Sequence, residues 1–177
     1  MFSKSAKLYD RIYFKFNDYE NEARKINERI QSEHPFARTL LDVACGTGEH
    51  AKILCGQYDY RVDGIDLNYD FVSLARQKNP QGDFYRADMI DFDLGRSYDV
   101  VMCLFSSIGY VKTLERVVSA IKRFKAHTRA GGLILVGRIR SLPGRFISIR
   151  PWPKILQSPV WATVKCAIAY RFFTLTI

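Results

Sequence analysis

The chain has 177 residues, of which 47% are apolar and 25% are charged, and it contains ten Tyr, twelve Phe and two Trp. This composition excludes a disordered, collagen-like or low-complexity chain and indicates one globular domain with a substantial core. The net charge of +9 is unevenly distributed, since residues 1–115 carry 15 Lys and Arg against 18 Asp and Glu, whereas residues 116–177 carry 12 Lys and Arg and no acidic residue.

Strands and helices are predicted to alternate along the chain. Helices are expected over 18–31, 49–57 and 114–127, with another that Asn68 caps and that ends near Asn79. Short apolar runs predict five strands: 39–44, 60–66, 82–87, 98–105 and 133–136. Strands that are apolar on both faces and alternate with helices indicate a doubly wound, mostly parallel sheet with helices on both faces, the Rossmann-like α/β class.

A glycine-rich turn follows the first strand, in the run Asp42-Val43-Ala44-Cys45-Gly46-Thr47-Gly48. Glycines there let the backbone turn tightly and let a ligand approach the start of the next helix, whose free N–H groups carry a partial positive charge. Taken alone, the turn is weak evidence for a ligand-binding site. Its position strengthens that interpretation, because ligands of doubly wound sheets bind outside the carboxyl ends of the strands.

Two further acids close the second and third predicted strands. Asp66 lies 18 residues after Gly48, the reach at which a carboxylate accepts hydrogen bonds from both hydroxyls of a ribose. Asp88 is placed to accept from an adenine amine, with Met89 covering the ring. Together with Asp42, these three acids at successive strand ends favour a nucleoside cofactor over chance placement.

The loop distinguishes between two cofactors. A dinucleotide oxidoreductase would require Gly-x-Gly-x-x-Gly, but Gly48 is followed by Glu49, His50 and Ala51 with no third glycine. We expect the acid at Glu49 to repel a pyrophosphate, and Asp42 to suit a ligand with a cationic amino-acid part. These features favour S-adenosyl-L-methionine, while an NAD(P)-linked oxidoreductase stays as the rival enzyme.

The segments 40–48, 64–67 and 82–89 resemble class I S-adenosylmethionine-dependent methyltransferases. The runs 88–96 and 102–110, the second reading Met-Cys-Leu-Phe-Ser-Ser-Ile-Gly-Tyr, resemble more narrowly the nucleotide-sugar N,N-dimethyltransferases of the desosamine and mycaminose type. The resemblance extends from about residue 9 to residue 136. It implies a cytoplasmic methyltransferase that moves a methyl group to a small-molecule acceptor, with the amine of an amino sugar as the leading case.

The resemblance also implies roles for individual residues. Tyr110 holds the position that faces the substrate amine, so we expect it to orient that amine or help carry its proton. Tyr9 and Tyr19 match the lid whose tyrosines close over the cofactor. The complete set of expected cofactor contacts is Tyr9, Tyr19, Asp42, Ala44, Gly46, Gly48, Asp66, Leu67, Asp88, Met89 and Leu104.

The pattern breaks after the fifth strand. The family continues with Glu-Pro-Trp, a substrate-facing region and two final strands, whereas this chain reads Val136-Gly137-Arg138 and ends 39 residues later. We therefore divide it into a cofactor-binding domain (1–136) and an atypical basic tail (137–177), which a frameshift or truncation would explain. The C-terminal strands are expected to be incomplete, although residues 162–177 have the composition of strands. A weakly active remnant and an RNA methyltransferase that uses the basic tail are the alternative functions.

Other chemistry has little support in the sequence. Four cysteines show no metal-ligand spacing, and the histidines at 34, 50 and 127 share none, so we expect no metal site and place these histidines at the surface. The basic residues around Arg116 are expected to form a solvated face. We expect no secretory signal and no membrane span, with homo-oligomerisation left open and nucleic-acid binding disfavoured.

Overall fold

A computed structural model describes residues 18–137 and the backbone of two later strands, 165–169 and 172–176. Its helices are α1 (Tyr19–Glu33), α2 (Glu49–Tyr58), α3 (Tyr69–Lys78) and α4 (Leu114–Ala126), with a short 3₁₀ helix at Ser107–Val111. Its strands are β1 (Thr39–Val43), β2 (Arg61–Asp66), β3 (Phe84–Arg86), β4 (Tyr98–Cys103), β5 (Thr128–Gly137), β6 (Lys165–Ala169) and β7 (Phe172–Thr176).

The strands form one sheet in the order β3-β2-β1-β4-β5-β7-β6. Pairing is parallel from β3 through β5, and β7 runs antiparallel to both of its neighbours. The chain moves outward in one direction from β1 to β3 and then returns to the other side of β1 with β4. This reversal confirms the predicted doubly wound Rossmann-like fold and puts a ligand-binding crevice beside the carboxyl end of β1.

The last two strands cover the outer edge of β5. Residues Leu133–Gly137 pair with Phe172–Thr176, and β6 pairs with β7 in turn. The expectation of incomplete C-terminal strands therefore has to be corrected: the strand-forming composition of the last residues is used to complete the sheet, because an uncovered edge would leave a row of unpaired backbone groups. The predicted boundary at residue 136 falls within this same sheet.

Two apolar layers enclose the sheet. On one face, buried residues of α1 and α2, among them Ile26, Ile30 and Leu54, pack with β1 and β2 residues such as Leu40 and Val62. On the other face, a second buried cluster contains Phe124 of α4 together with Leu41, Val101 and Ile134. Alternate residues of each central strand thus point to opposite layers, as expected for a sheet covered on both sides.

Local signals explain where the helices begin. The side chain of Asp18 accepts a hydrogen bond from Asn21 N at 3.1 Å, Asn68 accepts from Asp70 N at 2.9 Å, and both therefore cap the helix that follows. The start of α2 differs, since Gly48 offers no side-chain cap. The first N–H groups of α2 are therefore available at the end of the glycine-rich loop.

The fifth strand is longer than predicted. Gly131 and Gly132, which precede the predicted strand 133–136, lie within β5, where the register against β4 shifts between Tyr98 and Val100. A Cβ on Gly132 would lie 2.8 Å from the carbonyl oxygen of Asp99, so the close approach of the two backbones explains the glycine.

Among the helices in the described part of the chain, none is both long and apolar enough to span a bilayer.

Candidate active site at the carboxyl ends of the strands

The glycine-rich loop lies where three central strands meet. Asp42 of β1 is in register with Gly64 of β2 and with Met102 of β4, one residue before β1 ends. The backbone then turns sharply, with Ala44 at φ 62°, and the amide of Cys45 donates to the carbonyl of Ile65 at 2.9 Å. A left-handed conformation at a residue with a Cβ is strained, and such strain is concentrated at functional sites.

The two glycines of the loop serve different purposes. Gly46 has φ 56°, and a Cβ built on it meets no described atom within 4 Å, so the space in front of it is open to a ligand. Gly48 has φ 78°, and its Cβ would lie 2.6 Å from the side-chain nitrogen of Asn79. Asn79 is fully buried and donates from that nitrogen to the carbonyl of Gly48 at 3.1 Å. Gly46 therefore keeps the crevice open, while Gly48 lets the loop pack on the end of α3.

Asp66 holds the loop from the end of β2. Its carboxylate accepts hydrogen bonds from Gly46 N and from Asn68 N, both at 2.9 Å, one on each oxygen. Each carboxylate oxygen has two lone pairs, so both oxygens retain the capacity to accept from a hydroxyl. Burial raises the pKa of Asp66, while hydrogen bonds from Asn68 and Gly46 counteract that rise. The residue is thus an acceptor already oriented for a pair of neighbouring hydroxyls.

Asp42 is a buried acid beside a second acid. It is only 2% exposed, and burial together with the charge of Asp66 raises its pKa to about 8. A carboxyl in this state gains most from a nearby cation, because a positive charge offsets both the lost hydration and the repulsion from Asp66. The arrangement therefore suits a ligand that brings an ammonium group next to open Gly46.

Glu49 does not face the loop as an unpaired charge. It begins α2, and its carboxylate forms an ion pair with Lys78 at the end of α3, at 2.5 Å. The sequence argument that Glu49 repels a pyrophosphate is weakened, since its charge is largely neutralised by Lys78. Preference against a dinucleotide therefore depends on the missing third glycine and on Asp42.

Asp88 and Met89 follow β3 at the same edge of the sheet. One oxygen of Asp88 accepts from Ile90 N at 3.3 Å, and the other lies 3.4 Å from a guanidinium nitrogen of Arg116. Arg116, expected in a solvated basic face, thus reaches from the first turn of α4 to a predicted cofactor residue. Met89 is partly buried and packs against the cluster around Phe92 and Ile134.

Aromatic rings line the side of the loop next to α1. The ring of His50 lies 5.1 Å from that of Tyr19 and 5.0 Å from that of Phe105, measured between centroids. Phe105, which lies just beyond β4, is another non-glycine residue with a strained positive φ, of 52°.

The expectation of surface histidines is wrong for His50 and His127, which are 6% and 3% exposed. The Nε2 of His50 lies 3.2 Å from a carboxylate oxygen of Glu22, and both ring nitrogens of His127 have partners, Nδ1 with Arg123 O and Nε2 with Leu94 N.

The remaining predicted contacts differ in exposure. Leu104, after β4, is buried, whereas Leu67, after β2, is 63% exposed. Tyr110 lies in the 3₁₀ helix beyond β4 and is 81% exposed, so its hydroxyl is free to meet a second ligand. Tyr9 lies outside the described residues.

The model of a methyltransferase-domain family matches residues 40–132, more than half of the chain. The chain belongs to this methyltransferase family. The match covers the loop, the acids Asp42, Asp66 and Asp88, and α4, whereas α1, which lies beside the loop, falls outside it.

Individual relatives narrow the resemblance. The chain is 39% identical over 132 residues to a dTDP-3-amino-3,6-dideoxy-α-D-glucopyranose N,N-dimethyltransferase of Streptomyces fradiae, a match that covers 74% of this chain and 51% of that protein. It is 38% identical to the solved DesVI of Streptomyces venezuelae, with a TM-score of 0.70 over 74% of this chain and 56% of that one. An amino pentose methyltransferase of Micromonospora echinaspora, solved with SAM bound, is 32% identical with a TM-score of 0.71, over 79% of this chain and 59% of that one. The chain spans about half the length of the curated relatives it matches.

The fold of the chain brings most of the predicted residues to one edge of the sheet. Asp42, Ala44, Gly46, Gly48 and Asp66 form one connected group through the loop and its hydrogen bonds. Sequence reasoning missed Glu22, His50, Phe105, Asn79 and the contact of Arg116 with Asp88. The one available signal was the spacing of His50, Ala51 and Leu54, which share a face of α2 and are all buried.

Proposed function

We propose that the chain binds S-adenosyl-L-methionine in the crevice around residues 42–48 and transfers its methyl group to the amine of a small-molecule acceptor. The observation that carries this proposal is the set of acids at three strand ends around open Gly46. Asp42 suits the ammonium of the amino-acid part, Asp66 suits the two ribose hydroxyls, and Asp88 suits the adenine amine.

The residues present fit this cofactor chemically. The crevice offers a carboxyl that gains from a cation, an acceptor with spare lone pairs, and a loop whose Gly46 leaves space for close approach. The N-terminus of α2, which Gly48 leaves without a side-chain cap, would favour the carboxylate of the amino-acid part. When bound, the sulfonium supplies an activated methyl group and a neutral thioether leaving group for an in-line displacement by an amine lone pair.

The protein's own contribution is alignment and exclusion of water. Asp42, Asp66 and the loop hold the donor in a fixed position, and Tyr19 with Phe105 form an apolar wall beside the loop. Tyr110 is the residue we assign to the acceptor, since its exposed hydroxyl can accept from or donate to the amine. The amine attacks as the free base, so formation of the new C–N bond leaves an ammonium, whose extra proton passes to water.

An amino sugar carried on a nucleotide diphosphate is the acceptor class we favour. Three curated relatives, each covering 74% of this chain, are named as N,N-dimethyltransferases of dTDP-linked amino deoxysugars. The 12 basic residues after residue 115, with no acidic residue among them, would favour a negatively charged acceptor such as this diphosphate. We further propose that the enzyme works in the cytoplasm, where both S-adenosyl-L-methionine and nucleotide sugars occur.

Calorimetry with the full chain tests the cofactor. We expect S-adenosylhomocysteine to bind tightly and NADH weakly, and tighter binding of NADH would refute the methyltransferase. A mass-spectrometric assay with a dTDP-linked 3-amino sugar then tests the acceptor, with gains of one and two methyl groups expected. RNA binding that persists at physiological salt would instead favour the RNA methyltransferase. Cofactor binding without turnover of any amine would favour the weakly active remnant.

A further inference from the structure

His50 joins three parts of the molecule that the cofactor loop depends on. It is the second residue after Gly48, in the first turn of α2, and its side chain is 7% exposed. Its Nε2 lies 3.2 Å from an oxygen of Glu22 on α1. Its ring contacts Tyr19, the first residue of α1, and Phe105, which follows β4.

The chemistry of the pair defines its direction. An ionised carboxylate can only accept, so the hydrogen lies on Nε2 and His50 donates to Glu22. Glu22 is about one-third exposed, whereas His50 is almost fully enclosed by the two neighbouring rings. A donor buried in this way is costly to leave unpaired, so the hydrogen bond to Glu22 ties the start of α2 to α1.

The contact between Glu22 and His50 lies beside the cofactor loop, at the first turn of α1. Tyr19 and Phe105 also contact each other, at 5.9 Å between ring centroids, so the first turn of α1 is held beside the loop by one polar contact and two ring contacts. Ala23, Ile26 and Ile30 anchor the rest of α1 in the core and do not depend on His50. The contact of Glu22 with His50 therefore governs the part of α1 that faces the crevice.

We propose that His50 and Glu22 are positioning residues that latch the start of α1 to the cofactor loop and thereby set cofactor affinity. This inference builds on the proposed function. If the latched state is the one that binds, then releasing it lowers the population of competent protein, and the apparent dissociation constant rises in proportion.

Variants of the full chain test the latch. Glu22→Gln removes the charge from the acceptor, and His50→Leu removes the donor while nearly keeping the volume. His50→Gln keeps an N–H near the position of Nε2 and serves as the rescue variant. Glu28→Gln is the matched control, since Glu28 is on the same helix and its one ion pair within the described residues is with exposed Arg24.

Calorimetry with S-adenosylhomocysteine and steady-state kinetics give the main measurement. We expect the dissociation constant to rise about three- to tenfold for Glu22→Gln and about tenfold or more for His50→Leu. His50→Gln and Glu28→Gln should stay within about twofold of the wild type. The KM for the methyl donor should follow the dissociation constants, while kcat at saturation changes little. Equal affinity of Glu22→Gln and the wild type, or an equally weak His50→Gln and His50→Leu, would overturn the proposal.

Amide hydrogen exchange separates the latch from the proposed function, because it needs no cofactor. Glu22→Gln should speed exchange in the first turn of α1 but not around Ile26 and Ile30, and Glu28→Gln should do neither. Identical exchange rates in the first turn of α1 for the wild type and all variants would refute the latch. Failure of the wild type to bind S-adenosylhomocysteine, with the exchange result intact, would refute the proposed function and leave the latch in place.

Discussion

The carboxylate of Asp66 accepts the amide hydrogen of Gly46 at 2.9 Å, joining the end of β2 to the glycine-rich loop after β1. The residue that we assign to the ribose therefore also fixes the loop that we assign to the amino-acid part. Binding of the two halves of the cofactor is expected to be coupled through this one hydrogen bond, since loss of the acceptor affects both.

Replacing Asp66 by Ala is expected to raise the cofactor dissociation constant about ten- to hundredfold, because two hydroxyls and Gly46 N lose a charged acceptor. Asp66→Asn should have a smaller effect, since its amide oxygen can still accept from one backbone N–H. Asp70→Asn, an equal change of charge in the first turn of α3, is the control. Calorimetry with S-adenosylhomocysteine measures all three, and unchanged affinity in Asp66→Ala would place the ribose elsewhere.

Alanine substitutions at the two loop glycines should affect different properties: stability at Gly48 and ligand affinity at Gly46. Gly48→Ala forces a Cβ to 2.6 Å from the Asn79 side chain and 3.0 Å from that of Ala75, so we expect a loss of about 2–4 kcal/mol in the free energy of unfolding. Gly46→Ala meets no described atom and should cost only about 1 kcal/mol from its positive φ. Its methyl group occupies the space open to the ligand, however, so affinity should fall sharply. Urea unfolding and calorimetry together test this contrast, which equal stability losses would contradict.

The stability of the ligand-free protein should depend on the protonation of Asp42. Its folded pKa of about 8 exceeds the ordinary value of 3.8, so the folded state binds this proton more tightly than the unfolded state. Stability from this group is therefore complete below about pH 4 and is lost as pH rises to about 8, by at most roughly 1.4 kcal/mol per pH unit.

Asp42→Asn removes that dependence because the amide never ionises. Relative to the wild type, the variant should become progressively more stable between pH 5 and pH 9, yet bind S-adenosylhomocysteine more weakly. Urea unfolding at several pH values, with the difference taken between variant and wild type, cancels contributions from the other acids. A difference that stays constant with pH would show that Asp42 is ionised in the folded protein.

Ending the chain at Gly137 is expected to cause association. This deletion removes β6 and β7 and leaves the outer edge of β5, residues Leu133–Gly137, without its backbone partners. Size-exclusion chromatography and light scattering should show larger oligomers or aggregates for the shortened chain than for the full chain. A shortened chain that stays monomeric and unfolds cooperatively would mean that the last strands are dispensable for the sheet.

The amino-acid sequence by itself determined the order of elements from α1 to β5 and the three acids at the strand ends. Both follow from local rules: apolar runs with flanking turn residues define strands, and carboxyl ends of parallel strands meet at one edge. The caps at Asp18 and Asn68 likewise depend on neighbours only a few residues away.

Only the tertiary structure decided how the crevice is held. His50 meets Glu22 across 28 residues, Asn79 meets Gly48 across 31, and Arg116 reaches Asp88 across 28, so none of these contacts leaves a signal within one element. The pairing at the edge of β5 was also not predictable from the sequence. The composition of residues 162–177 is compatible with strands but does not indicate which strand they pair with. Burial and long-range pairing, which depend on the packing of α1, α3 and α4 around the sheet, turn ordinary side chains into parts of the site.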